Sequence, residues 1–389
     1  MSLAALATAE WLTRPETQAI FAALDGARRR TRAVGGVVRD TILERSRDNP
    51  DIDLATELTP DEVIARAKAA GIAFYPTGID HGTVTLKLGA TLAEVTTLRR
   101  DAETDGRHAR VVFGTDWVED AQRRDFTMNA LYCAADGLLY DPLGGLDDAL
   151  NQRVRFLGDA DRRIAEDGLR VYRFFRFSAS HGGERFDSDG LVACTRAATV
   201  LGHLSAERIG AEMLRMLALP AITQTLSAMA STGLLQCDAP SLDKLRNYER
   251  IGGRAVATRL ALLGDIDGLQ TRWRLSNDLS NAARQTLKAA ALVSGGQLGE
   301  AAYRHGEIAV EALALVAASE HWSPARLAEA ARELAATVVP EFPVTGHDLA
   351  GLGIKPGPAL GLELKRLERA WIDSGFALGK TDLLLLVKA

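Results

Sequence analysis

Strand signals fill the first 150 residues of this 389-residue chain and nearly vanish after them. That asymmetry limits the chain to an α+β arrangement, a small head of mixed strands and helices followed by a long all-α remainder. In the head, "RAVGG" (32–36) reads as a short apolar strand running into two glycines. "VVRDTILER" then reads as a helix, with Val37, Val38, Ile42 and Leu43 at helical spacing. "DIDLAT" (51–56) predicts a strand, and "TPDEVIARAKAAG" a helix with Thr59 as N-cap, Pro60 at its first position and Gly71 as terminator. "GTVTLKLGATLAEVTTLR" alternates as a hairpin turning near Gly89 and Ala90, and a second hairpin is expected around Asp136 and Gly137. Beyond the head, "DADRRIAEDGLRVYRFFRFSAS" (159–180) reads as one strong helical stretch, and helical patterns continue to about residue 335. A proline-rich passage (340–358) precedes a last helical segment.

Composition excludes several classes. No apolar run approaches the roughly 20 residues needed to span a bilayer. The start, "MSLAALATAE", has no basic stretch and does not read as a signal peptide. Cys133, Cys194 and Cys237 are too widely spaced for a zinc site and fit reduced thiols in a cytoplasmic protein. A net charge of −5 argues against a general nucleic-acid coat protein. Arginine nevertheless outnumbers lysine several-fold, and it clusters at Arg28–Arg32, Arg99–Arg100, Arg123–Arg124 and from Arg162 to Arg176. Such clusters suit bidentate phosphate contacts.

Chemistry concentrates in the head. On a strand, Asp51 and Asp53 point the same way, roughly 6.5–7 Å apart, and such a pair is tolerated if solvated or if a cation lies between. Gly35 and Gly36, between a strand and a helix, let the backbone approach an anion closely, and Arg39 one turn on can add a cation. Glu94 supplies a third carboxylate in a probable strand. Three carboxylates beside a glycine cradle are what two-metal phosphoryl or nucleotidyl transfer requires, with magnesium ions about 3.5–4 Å apart bridged by a carboxylate.

The ordered motifs "GGVVRD", "DIDLAT", "HGTVTL", "EVTTLRRD", "RRDFTMNALY", "DPLGGLDD" and "EDGLRVYRFFRF", spread over roughly residues 32–215, resemble the class II tRNA nucleotidyltransferases. These are the CCA-adding enzymes, whose superfamily includes bacterial poly(A) polymerase. The resemblance implies a head (1–150), a helical neck that recognises the base (151–225), a helical body (226–338) and a tRNA-binding tail (339–389), the helical part being elongated. It implies Asp51 and Asp53 as metal-binding catalytic carboxylates and Glu94 as the third, helping to activate the primer hydroxyl. Gly35, Gly36, Arg39 and Arg124 match nucleotide contacts, and Asp125 and Asn129 match residues that organise the site. Asp167 and Arg170 match the pair that reads the incoming base: at i and i+3 of a helix, a carboxylate and a guanidinium imitate the edge of a partner base. Arg173 and Arg176 continue that face toward the triphosphate.

The implied activity is template-independent addition of CMP and AMP from CTP and ATP to the 3′ end of tRNA, with two Mg2+ ions. The implied partners are tRNA and nucleotides, with no membrane and no obligate protein partner. An A-adding enzyme or poly(A) polymerase is the alternative, and a catalytically idle RNA-binding protein a more remote one. The segment "TDGRHARVVFG" (104–114) and the acidic pI favour the CCA enzyme. The His-Asp pair in "GHD" (346–348) lacks the other spaced histidines of a phosphohydrolase site, and His81 and His108 read as loop residues.

Overall fold

A computed structural model describes residues 4–45, 50–101 and 111–387. "TDGRHAR" and His108 therefore lie outside the described residues. The chain divides into two compact units: residues 1–205 with 231–234, and residues 206–230 with 235–389.

Among the described residues the first unit holds a seven-stranded sheet built from β1 (Thr31–Val34), β2 (Ile52–Thr56), β3 (Ala73–Gly78), β4 (Thr83–Leu88), β5 (Thr91–Thr97), β8 (Tyr132–Cys133) and β9 (Leu139–Tyr140). A separate pair, β6 (Arg99–Asp101) and β7 (Val111–Phe113), stands beside it. The order across the large sheet is β3-β4-β5-β2-β1-β8-β9. β2 and β5 run parallel and the other neighbours antiparallel, so the sheet is mixed as expected. Both hairpins form where the turn residues lie, at Gly89–Ala90 and around Gly137 (φ 83°). The helix Pro60–Ala69 starts with a full capping box: Thr59 accepts from Glu62 N–H, and Glu62 accepts from Thr59 N–H at 2.8 Å.

Alternation on the strands places the core. Ile52, Leu54, Val84, Leu86, Ala93 and Val95 are all at most 2% exposed. A second apolar cluster joins Val34, Ala55, Leu98, Trp117, Ala121, Ala130, Tyr132 and Leu157. Aromatic packing ties the sheet side to the helix Leu169–Ser180. Phe156 stacks on Phe174 (5.4 Å, 13°), and Phe126 contacts Phe156, Phe174 and Phe177. Gly145 makes room for the segment 127–129, since a Cβ there would lie 2.0 Å from the Thr127 carbonyl oxygen.

No strand follows Tyr140 among the described residues. The long stretch 159–180 is not one helix, however. It forms Ala160–Glu166 and Leu169–Ser180, with Asp167 extended between them (φ −151°, ψ 104°). Asp167 accepts the Leu169 N–H at 3.1 Å through its side chain. A short carboxylate followed by glycine competes with the helical hydrogen bond, which is why the helix stops there. Cys133, Cys194 and Cys237 are free thiols, the first two buried.

The second unit is helical. Its helix Ala206–Leu217 ends on Arg259, which is fully buried. The Arg259 guanidinium donates to the carbonyls of Leu217 (2.6 Å), Leu219, Pro220 (2.9 Å) and Gly253 (3.4 Å). A smaller core near the C-terminus gathers Val344, Leu349, Leu367, Trp371, Ile372 and Leu383. Asp348 of "GHD" belongs to its frame. It caps the helix Gly346–Gly351 through Thr345 and pairs with Lys380 at 2.6 Å, and the Lys380 ammonium and Thr345 bonds draw its pKa down to about 2. Replacing Arg259 with Met leaves buried carbonyls unpaired, so urea denaturation should show a stability loss of about 3 kcal/mol. An unchanged midpoint would mean that the carbonyls find other donors.

Candidate active site

The parallel register of β2 and β5 sets Asp53 directly opposite Glu94. Ile52 and Leu54 point into the core, so Asp53 points out with Glu94, and Asp51 stands one residue before the strand on the same side. The three expected carboxylates thus come together. Protein packed around Asp53 strips water from its carboxylate although one face stays accessible. Glu94 and Asp51 add negative charge, and against the pull of Arg124 its pKa rises to about 6.

Facing Asp51 and Asp53 is the glycine turn. Gly35 adopts φ 74°, a left-handed backbone that suits glycine, and the helix Gly36–Ile42 starts at the next residue. Gly36, Val37, Asp40, Thr41, Pro50, Asp51 and Asp53 line a cavity of about 190 Å³. A larger cavity of about 610 Å³, bordered by Arg155, Asp161, Asp187 and Arg196, contains none of the expected site residues.

The arginines around the turn are held by specific partners. Arg124 Nη1 lies 3.9 Å from where a Cβ on Gly35 would sit. Arg124 donates to Tyr132 Oη (3.2 Å) and Asp120 Oδ2 (3.1 Å); burial opposes its charge, yet these partners hold it firmly protonated. Arg39 is 5% exposed. It donates to Asn129 Oδ1 and, through Nε, to Asp40 at 2.8 Å. Asn129 Nδ2 in turn donates to Asp125 Oδ1 (2.9 Å), and Arg173 grips Asp125 Oδ2 with Nε (2.8 Å) and Nη2. Burial works against the Asp125 charge, but Arg173 and Asn129 keep its pKa below the ordinary carboxylate value. Four expected residues are thereby linked in one chain, Arg39–Asn129–Asp125–Arg173.

Asp167 and Arg170 do not share a single helix as the spacing predicts. Asp167 lies at the joint, and Arg170 in the first turn beyond it. The Arg170 guanidinium donates to Glu166 (2.7 Å) and to the carbonyls of Arg163 (3.0 Å) and Arg123 (3.1 Å), so it is held from three sides. Arg176 lies over the Phe177 ring, 4.3 Å from its centre.

Sequence reasoning passed over Asp40, Asp120, Tyr132 and His181. Asp120 precedes Arg123 and Arg124 by three and four residues, a helical spacing that signals the pairs it makes with both. Asp40 follows Arg39 directly, but its bond from His181 Nε2 (3.0 Å) crosses 141 residues and has no local signal. His181 and Arg39 hold Asp40 below its usual pKa despite its burial.

The fold and this site define a nucleotidyltransferase head. Residues 31–155 match the family described as the poly A polymerase head domain, and residues 185–245 match that described as the probable RNA and SrmB-binding site of polymerase A. The chain is 33% identical over 377 residues to the mitochondrial CCA tRNA nucleotidyltransferase 1 of Danio rerio, covering 91% of this chain and 86% of the relative. It is 34% identical over 356 residues to the CCA-adding enzyme of Levilactobacillus brevis, covering 86% and 87%. Among solved structures, the Bacillus stearothermophilus CCA-adding enzyme in complex with CTP superposes with a TM-score of 0.73 at 28% identity, over 93% of this chain and 94% of that one. The chain belongs to the CCA-adding enzymes, the CCA tRNA nucleotidyltransferases.

The raised pKa of Asp53 has a stability consequence. A carboxylate whose folded pKa exceeds its unfolded value stabilises the fold fully below about pH 4, and that contribution is lost as pH rises through about 6. In metal-free protein at pH 7, Asp53→Asn should therefore gain about 1 kcal/mol after discounting for solvent screening, and the gain should disappear below pH 4. Thermal unfolding across that pH range checks it; a gain that persists at low pH would contradict the charge explanation.

Proposed function

We propose that this protein adds CMP and AMP from CTP and ATP to the 3′ end of tRNA, completing or repairing a terminal CCA without a nucleic-acid template. The observation that carries this reading is the in-register pairing of Asp53 with Glu94, beside Asp51 and across from the Gly35–Gly36 turn. Its setting is a chain related over nearly its whole length to enzymes named for CCA addition.

The donor set fits magnesium. Asp51 and Asp53 offer hard carboxylate oxygens, and the crowding that raises the Asp53 pKa is relieved by a cation. Among the described residues no three acidic, histidine or cysteine side chains form a ready-made metal cage. When bound there, Mg2+ supplies Lewis-acid stabilisation of the reacting phosphate and of the leaving pyrophosphate.

The chain's own residues do the rest. The Gly35–Gly36 backbone lets the triphosphate approach closely, and Arg124 and Arg39 place positive charge beside and beneath it. Glu94 accepts the proton as the primer 3′-oxygen bonds to the α-phosphorus and the bond to pyrophosphate breaks. Asp167 and Arg170 present an acceptor and donors to the base edge, matching the amino group and ring nitrogen of cytosine or adenine and mismatching uracil and guanine. Arg173 fixes Asp125 and, through Asn129, the Arg39 end of the cradle; with Arg176 it brings positive charge toward the triphosphate. The expected compartment is the cytoplasm. Among the described residues no helix is long and apolar enough to cross a membrane.

The deciding assay supplies tRNA lacking CCA, or ending in C or CC, with Mg2+ and each nucleotide singly, and reads product lengths. CCA addition supports the proposal. Addition of A alone transfers the chain to the A-adding or poly(A) class, and tRNA binding without any extension makes it an idle RNA-binding protein.

Two variants test the residue roles. Asp53→Ala should abolish nucleotide addition while leaving the circular-dichroism spectrum unchanged, and near-normal turnover in Mg2+ would sink the metal assignment. Asp167→Ala should slow incorporation and relax the preference for CTP and ATP over UTP and GTP, because a site built to hydrogen-bond a base rejects mismatches strongly. Single-turnover incorporation of all four nucleotides reads both effects. A slower enzyme with its ranking intact would leave Asp167 as a helix-joint residue only.

A further inference from the structure

We infer that the face of the sheet beyond Glu94 is the track on which the single-stranded 3′ end of the tRNA lies, with Tyr75 as the stacking platform for an unpaired base behind the reacting hydroxyl. This rests on the proposed function and extends it to the acceptor.

Register carries the argument. Asp53 pairs with Glu94, Glu94 with Thr85, and Thr85 with Tyr75. Directly paired residues point to the same side of a sheet, so the four form one row across β2, β5, β4 and β3, in which Thr85 is covered (7% exposed) and bonded to Thr77 while Glu94 and Tyr75 on either side of it are exposed. The row offset by one residue, Ile52, Ala93, Leu86 and Phe74, points to the opposite, buried side. Tyr75 is therefore on the catalytic face, and it is 48% exposed. The adjacent row places Leu92, 49% exposed, opposite Lys87, also exposed.

These side chains suit a single-stranded nucleic acid. An exposed aromatic ring stacks any base, Leu92 adds apolar floor, and Lys87 meets a backbone phosphate. Two strand spacings of about 4.8 Å put Tyr75 roughly 10 Å from Glu94, which is two or three stacked nucleotides at about 3.4 Å each. The Gly35–Gly36 turn follows the end of β1, β2's neighbour on the side away from β5, so a nucleotide held there leaves the β5-β4-β3 side to the primer. A protein strand is a poor occupant of this edge. Pro76 lacks an N–H, and the β3–β4 register shifts between Tyr75 and Gly78.

The test uses the full-length protein and tRNA lacking CCA, tRNA-C and tRNA-CC. Tyr75→Ala should raise the KM for tRNA about tenfold and leave the KM for CTP, the metal dependence and the melting temperature unchanged. Tyr75→Phe should behave as wild type, since the ring is kept. A 2-aminopurine placed two or three nucleotides from the primer terminus should be quenched on binding wild type and Tyr75→Phe, and not Tyr75→Ala. An unchanged KM for tRNA in Tyr75→Ala, equal losses in the Ala and Phe variants, or quenching that survives in Tyr75→Ala overturns the platform while leaving CCA addition standing. A wild-type protein that extends no tRNA overturns both.

Discussion

The buried carboxylate of Asp125 is the point from which the candidate site is hung. One oxygen accepts from its neighbour's backbone, Phe126 N–H, and from Asn129, and the other accepts twice from Arg173. Those bonds join three pieces of chain that sequence separates widely: the segment after the helix Trp117–Gln122, the helix Leu169–Ser180, and, through Asn129, the helix that carries Arg39. An isolated buried carboxylate is costly; this one is compensated by four donors with good geometry, and the same bonds tie the glycine-turn helix to the helix Leu169–Ser180. Next to it the rings of Phe126, Phe156, Phe174 and Phe177 pack on one another, all four buried.

The arginine clusters acquire a second meaning in this light. Arg30 pairs with Asp25 and Glu57, Arg123 and Arg124 with Asp120, Arg163 and Arg170 with Glu166, and Arg173 with Asp125. Many of the guanidinium groups that composition offers to RNA are thus struts inside the protein. The acids that hold them belong to the 51 Asp and Glu that outnumber the 46 Lys and Arg and leave the whole chain at −5. This pairing also explains why arginine and not lysine stands at these positions: a planar fork reaches two acceptors at once and does not lose its charge when buried.

Local pattern made much of this legible. Hairpin turns, the Thr59 N-cap and the facing of Asp51 and Asp53 follow from side-chain alternation and turn chemistry, which act over a few residues. Glu94 could be matched but not positioned, because its partner strand lies 41 residues earlier and parallel pairing leaves no turn to fix the register. The joint at Asp167–Gly168 was hidden by apolar periodicity that runs through it on both sides; the residues that break the helix, a carboxylate and a glycine, were present and were outweighed. Bonds such as Asp40 to His181 depend on tertiary placement alone.

The alternation that turns Asp53 outward has a further meaning for any population of these molecules. A slip of one residue between β2 and β5 exchanges faces, bringing Ile52 and Leu54 into water and forcing Asp53 into the apolar core. Such a mispaired form loses its core and its carboxylate row together. Core and carboxylate row therefore stand or fall with the same register, so the hydrophobic penalty that rejects a slipped strand also protects the placement of Asp53 opposite Glu94.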